Sequence, residues 1–168
     1  MRLAKRLVLS LIVAILVAMG ITSVAYAVYG YVSEQSGNFT SSGLSAVPGC
    51  SSSTCLDGNA KRGAQSLSYS NTTRWGQWLT TTHNVNHWWT FIPNLTGDFA
   101  GVRYSTANSA GELYFTTVNQ NNWKGTYVNL GTLSLSSNTA WMYLPNRCVT
   151  GYACDGRYLY FDKSRFQY

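Results

Sequence analysis

His83 and His87 stand four residues apart in "TTTHNVNHWW", a spacing that on a helix would bring two imidazoles to one face for a metal ion. The stretch reads as strand and loop, and no glutamate or third ligand accompanies the pair. Satisfied or exposed histidines are therefore the expectation, with no metal and no cofactor assigned. Six acids, Glu34, Asp57, Asp98, Glu112, Asp155 and Asp162, would arithmetically permit the two carboxylates of glycoside hydrolysis. Most of them sit beside glycine or in turns, where aspartate is ordinary. Glu112 with Asp162 is the one catalytic pairing the chain offers. There is no G-x-S-x-G elbow, no Asp-rich loop for calcium, and no cysteine beside an activating base. The expectation is a protein that is not an enzyme.

Cys50, Cys55, Cys148 and Cys154 offer either two disulfides or a zinc site. The usual C-x2-C knuckles of zinc are missing. The spacings C-x4-C and C-x5-C lie in turn-like sequence, "PGCSSSTCLDG" and "NRCVTGYACDG", which favours local bridges Cys50–Cys55 and Cys148–Cys154. A loop so small restrains the unfolded chain by about 2 kcal/mol, against about 4.5 for a long-range bridge such as Cys55–Cys148.

The remaining chemistry is aromatic. Only 11% of the chain is charged while 14% is aromatic, and much of its polarity comes from Ser, Thr, Asn and Gln. Six tryptophans, twelve tyrosines and six phenylalanines compete for burial. A ring beside amides and hydroxyls can stack on the apolar face of a sugar while the amides reach its hydroxyls. The candidates for that role are Trp75, Trp78, Trp88 and Trp123, with Asn121 and Asn122 as polar partners. The competing reading has the tryptophans filling and capping a β core. Trp88 and Trp89 are neighbours on a strand and must point to opposite faces, as must Trp141 and Met142.

The elements that would carry these side chains are strands. From Gln65 onward apolar and polar residues alternate in "QSLSYSN", "RWGQWLTTT", "HWWTFIP", "DFAGVRYST", "ELYFTTVNQ", "TYVNLGTLSL", "AWMYLPN" and "RYLYFDKSRF". Such runs between Gly, Asn and Pro turns indicate an all-β antiparallel sandwich or jelly roll. In "TYVNLGTLSL" a bulge at Gly131-Thr132 would return Val128, Leu130, Leu133 and Leu135 to one side. The amides of Asn119-Gln120-Asn121-Asn122 would satisfy their own turn.

Ahead of these runs, Arg2, Lys5 and Arg6 precede an apolar run from Leu7 to Ala18, and Ala25-Tyr26-Ala27 has the small-x-small form of a cleavage site. Residues 1–27 read as a signal peptide, with an uncleaved membrane anchor as the alternative. Residues 28–60 read as a loose lead-in with a strand near Phe39, and residues 61–168 as the sandwich domain. The formal charge of +6 falls to +3 without the leader, which holds three of the twelve basic residues and none of the six acids. Scattered cations in that number do not make a nucleic-acid site.

The segment "TTVNQNNWKGTYVNLGTLSL" and the later "GRYLYFDKSRF" resemble the golvesin-type C-terminal domain, a galactose-binding-like β-sandwich of secreted bacterial proteins. The matching positions are Asn119, Gln120, Tyr127, Leu130, Gly131 and Thr132, then Asp162, Arg165 and Phe166. The likeness runs from about Trp88 to Tyr168, and the Cys148–Cys154 insertion departs from it. It implies a galactose-binding-like fold, a binding role, and a backbone-bonding role for Asp162 at a strand end. The function expected is a secreted or cell-surface module that binds a glycan or cell-wall polysaccharide, with no nucleic acid and a membrane only if the leader stays. The alternatives are a structural or adhesive surface protein joined through strand edges, and a small secreted hydrolase or inhibitor.

Overall fold

The computed structural model describes residues 27–168. The leader read at residues 1–27 thus lies, but for Ala27, outside the described residues. Among those described, no helix is long and apolar enough to cross a membrane.

Among the described residues twelve strands follow one another: β1 (Tyr29–Val32), β2 (Phe39–Ser42), β3 (Ser45–Ala46), β4 (Lys61–Ala64), β5 (Trp75–Thr80), β6 (His87–Ile92), β7 (Gly101–Asn108), β8 (Leu113–Asn119), β9 (Thr126–Thr132), β10 (Ala140–Pro145), β11 (Tyr158–Phe161) and β12 (Ser164–Gln167). They form a four-stranded sheet in the order β1-β12-β6-β9, a five-stranded sheet β2-β5-β10-β7-β8 and a small sheet β11-β4-β3. Every pairing between these strands is antiparallel. The chain is an antiparallel β-sandwich.

Alternation builds the core. Trp88 and Ile92 of β6, Val128 and Leu130 of β9 and Phe166 of β12 point inward from the first sheet. Trp78 of β5, Met142 and Leu144 of β10 and Val102 and Tyr104 of β7 do so from the second. A fully buried side chain of this size contributes about 1.5–3 kcal/mol, so the two inner faces hold the sheets together.

Seven of the alternating runs carry strands, and "RYLYFDKSRF" carries two, β11 and β12. "QSLSYSN" does not. Its Leu67 is 71% exposed and its Tyr69 59%, and its serines close local turns: Ser66 Oγ accepts from Ser68 N, and Ser68 Oγ from Ser70 N and Asn71 N. Side-chain hydroxyls that bond the nearby backbone compete with a sheet ladder. The stretch expected as a loose lead-in supplies β1, β2 and β3, each hydrogen-bonded into a sheet.

β9 does bulge, but at Leu130-Gly131, one residue before the expected Gly131-Thr132. Trp88 pairs with Gly131 and Trp89 with Asn129, which leaves Leu130 as the extra residue. Gly131 has φ +108°, a conformation that a Cβ would penalise, and its N–H donates to Asn129 Oδ1. Val128, Leu130 and Leu133 are buried as expected, but Leu135 is 52% exposed. Beyond β9 the chain is captured by another turn: Ser134 N and Leu135 N donate to the Glu112 carboxylate, and Leu135 O accepts from Asn108 Nδ2.

Candidate binding cleft on the five-stranded sheet

The alternation that buries one face of the five-stranded sheet presents the other. Outward from β10 go Trp141, Tyr143 and Pro145. Tyr143 pairs with Gln77 of β5 and with Ser105 of β7, and Ser105 pairs in turn with Phe115 of β8. One row thus reads Gln77, Tyr143, Ser105, Phe115. Trp75 pairs with Pro145, and its ring lies 5.8 Å from that of Tyr143. Arg103 pairs with Thr117.

Two loops rise beside this face and close it into a cleft of about 500 Å3, lined by Tyr69, Arg103, Ser105, Phe115, Thr117, Tyr143, Pro145 and the stretch Arg147 to Thr150. That volume lies within the roughly 300–1,000 Å3 of small-ligand sites. The first loop, residues 65–74, is pinned by Asn146, which is fully buried. Its Oδ1 accepts from Thr73 N and Arg74 N at 3.0 Å each, and its Nδ2 donates to Ala64 O at 2.9 Å and Thr73 Oγ1 at 3.1 Å. The second loop is closed by Cys148–Cys154. Cys148 N donates to Ser68 O, so the two walls are tied to each other. Below them Gln65 Nε2 donates to Gly101 O at 2.8 Å.

The cleft is cationic. The Arg103 guanidinium rests 4.1 Å over the ring of Phe115, and Arg147 Nε donates to Thr72 Oγ1. No carboxylate and no imidazole lines the cleft. Burial pushes the Tyr143 phenol above its ordinary range, with Arg147 pulling the other way, so Tyr143 stays a neutral hydroxyl that both donates and accepts. Rings, hydroxyls and guanidinium groups can hold a polar ligand by stacking and hydrogen bonding.

Of the residues singled out by sequence, Trp75 flanks this cleft. Trp78 and Trp88 are corrected: both are 0% exposed and cannot meet a ligand. Trp78 packs on Phe39 and Phe161 and donates from Nε1 to Asp162 O at 3.1 Å, and Trp88 packs on Phe166. Trp123, 46% exposed, ends the 3-10 turn Gln120–Trp123 and does not line the cleft. Asn122 beside it is exposed. Asn121 is engaged in the turn, with Oδ1 accepting from Phe99 N and Nδ2 donating to Asp98. Sequence reasoning passed over Tyr143, Phe115, Arg103, Arg147 and Tyr69. Its split of Trp141 from Met142 already held the signal, because Tyr143 shares the parity of Trp141 along the strand.

The other chemically suggestive residues have structural partners. His83 stacks on Tyr168, and His87 stacks on Trp89 while its Nε2 meets Asn129 Oδ1. Among the described residues no three His, Cys, Asp or Glu gather as metal ligands would. Cys50 pairs with Cys55 and Cys148 with Cys154, with Cα atoms 5.6 and 5.4 Å apart. Asp162 is buried and accepts from Leu56 N and Lys163 N, the backbone role implied by the resemblance. Gln120, buried in the turn it helps to build, donates to Tyr104 OH and Tyr160 O and accepts from Tyr160 N. Asn119 Oδ1 accepts from Asn121 N.

No protein-family model matches the chain. No curated protein sequence matches it either. Among solved structures, the C-terminal CBM6 of LamC, a marine laminarinase from Zobellia galactanivorans, is aligned over 84% of this chain and 100% of its own, with 15% identity and a TM-score of 0.36. That neighbour is a carbohydrate-binding module, and the golvesin-type resemblance has no counterpart in these comparisons.

Proposed function

We propose that the protein is a secreted, non-catalytic module that binds a glycan or cell-wall polysaccharide across the outer face of its five-stranded sheet. One observation carries this reading: an open cleft in which the rings of Tyr69, Phe115 and Tyr143 stand among the hydroxyls of Ser105 and Thr117, with Trp75 against Tyr143. Rings take the apolar faces of pyranose units and hydroxyls meet their edges, while tied loops keep the walls in place without ligand. Preorganisation of this kind lowers the cost of binding. Two local disulfides fit an oxidising compartment and support export.

Trp123, with Asn121 and Asn122, is proposed as an outlying contact for a longer chain. Retention on insoluble polysaccharide separates the two places. Tyr143→Ala is expected to weaken retention about tenfold or more, as the loss of a central aromatic anchor does, and Trp123→Ala by less. Full retention by Tyr143→Ala and Trp75→Ala together would rule the cleft out as the binding surface.

A further inference from the structure

Aromatic rings and hydroxyls account for a sugar, but they leave the two arginines of the cleft without a role. Neither Arg103 nor Arg147 forms an ion pair, the ion pairs among the described residues being Arg157–Asp155 and Lys163–Asp57. The other acids are engaged elsewhere. Glu34 and Asp162 are buried, Glu112 accepts from Ser134 N and Leu135 N, and Asp98 meets Asn121. An arginine on a surface is ordinarily solvated and needs no partner. Here the two line one concavity, Arg103 on the β7 floor and Arg147 just beyond the end of β10, and no carboxylate lines it with them.

Their donors are free for a ligand. Arg103 rests over the Phe115 ring, a contact that uses none of its N–H groups. Arg147 is anchored through Nε alone. A guanidinium with its terminal nitrogens open forms paired, charge-assisted hydrogen bonds to a carboxylate or a sulfate, a fit that a neutral hydroxyl does not match. The phenol of Tyr143 and the hydroxyls of Ser105 and Thr117 line the same cleft, where a sugar ring bearing such a group would sit.

We propose that the cleft selects polysaccharides that carry carboxylate or sulfate groups, with Arg103 and Arg147 contacting the anion and Tyr143 and Phe115 carrying the sugar ring. This rests on the glycan reading above, and it names the ligand class of that same surface. The site is assigned to an anionic polysaccharide in preference to an acidic peptide because rings and hydroxyls, the groups that take a pyranose, line the same cleft as the arginines.

Affinity electrophoresis of the full chain tests it, using polygalacturonate, dextran sulfate, carboxyl-reduced polygalacturonate, dextran and polyglutamate. Retardation by polygalacturonate or dextran sulfate should exceed that by the matching neutral polymer by about tenfold or more, and it should weaken as salt is raised. Preference between the two anionic polymers assigns the carboxylate or the sulfate. Arg103→Gln and Arg147→Gln, both at exposed positions, should each lose about tenfold on the anionic polymer, more than they lose on the neutral one. Equal retardation by anionic and neutral polymers, lost in Tyr143→Ala, would overturn the anion assignment and leave the glycan reading standing. Equal retardation by polyglutamate would overturn the polysaccharide assignment in favour of a plain anion patch. No retardation by any of the five would overturn both.

Discussion

The ring of Tyr152 lies directly against Gly101, so close that a β-carbon at Gly101 would collide with it. Tyr152 belongs to the Cys148–Cys154 loop and Gly101 opens β7, the strand that carries Arg103 and Ser105 to the cleft. This contact seats the disulfide loop on the sheet. Gly101→Ala must lift the loop or bend the strand, at about 1–3 kcal/mol for overpacking. The expected result is a folded protein with a modestly lower unfolding midpoint and much weaker polysaccharide retention. Unchanged retention would show that the loop does not shape the cleft.

The two disulfides should divide by function. Replacing Cys148 and Cys154 with serine, or Cys50 and Cys55, should cost about 2 kcal/mol in either case, because both loops are short. Only the first pair borders the cleft, so only its removal should weaken binding. Urea unfolding and polymer retardation measured on both double variants check this, and equal binding losses would contradict it.

Asn146 is a positioning residue for the other wall. In Asn146→Ala the amides of Thr73 and Arg74 and the carbonyl of Ala64 lose their side-chain partner. Fully buried groups left unpaired cost about 1–3 kcal/mol each and these are only partly buried, so a loss of about 2–4 kcal/mol in all is expected in denaturant unfolding. Tyr69 should also become more accessible to nitration in the native protein. A variant as stable as the parent would remove Asn146 from this role.

Much of this arrangement could be read in the sequence, and the division has a physical basis. Alternation is local, so β5 to β10 were legible, as was the need for a glycine bulge in β9. It tells which neighbours part company and not which of them goes inward. Trp88 is buried because Phe166 of β12 lies under it, while Trp89 lies beneath the Arg165 guanidinium, 4.6 Å away. That choice depends on a strand some seventy-five residues distant. The cleft is less legible still, because it needs β5, β10, β7 and β8 in register, a serine-rich loop that looked like a strand, and a buried asparagine whose partners lie at Ala64 and Thr73. Of the early strands only β2 was foreseen, at Phe39; β1, β3 and β4 escaped notice because four residues or fewer leave little alternation to read.

Stability should vary with pH through three carboxyl groups, two shifted up and one shifted down. Burial is the largest influence on Asp162 and pushes it up to about 7 against an ordinary 3.8, although the Lys163 and Leu56 amides pull it down. Its folded value exceeds its unfolded one, so its contribution is fully present below about pH 4 and is lost as pH rises through about 7. The size is on the order of 1–4 kcal/mol. Glu34 is shifted in the same direction, chiefly by burial. At Glu112 desolvation pushes upward, but hydrogen bonds from the Leu135 and Ser134 amides outweigh it and hold the carboxyl at about 2, below an ordinary 4.5. That contribution is present above about 4.5 and disappears as pH falls through about 2. Denaturant unfolding from pH 3 to 8 should show the greatest stability near pH 4 to 5. Asp162→Asn should flatten the decline towards pH 7, and an unchanged decline would contradict the assignment.

The most direct test of the central claim observes the tryptophan indole N–H signals by NMR while neutral and anionic oligosaccharides are added. Binding at the outer face of the five-stranded sheet predicts that the Trp75 and Trp141 signals shift, with Trp78 and Trp88 unmoved. Trp75 and Trp141 signals that stay fixed, whether every indole is silent or only Trp123 responds, would contradict it.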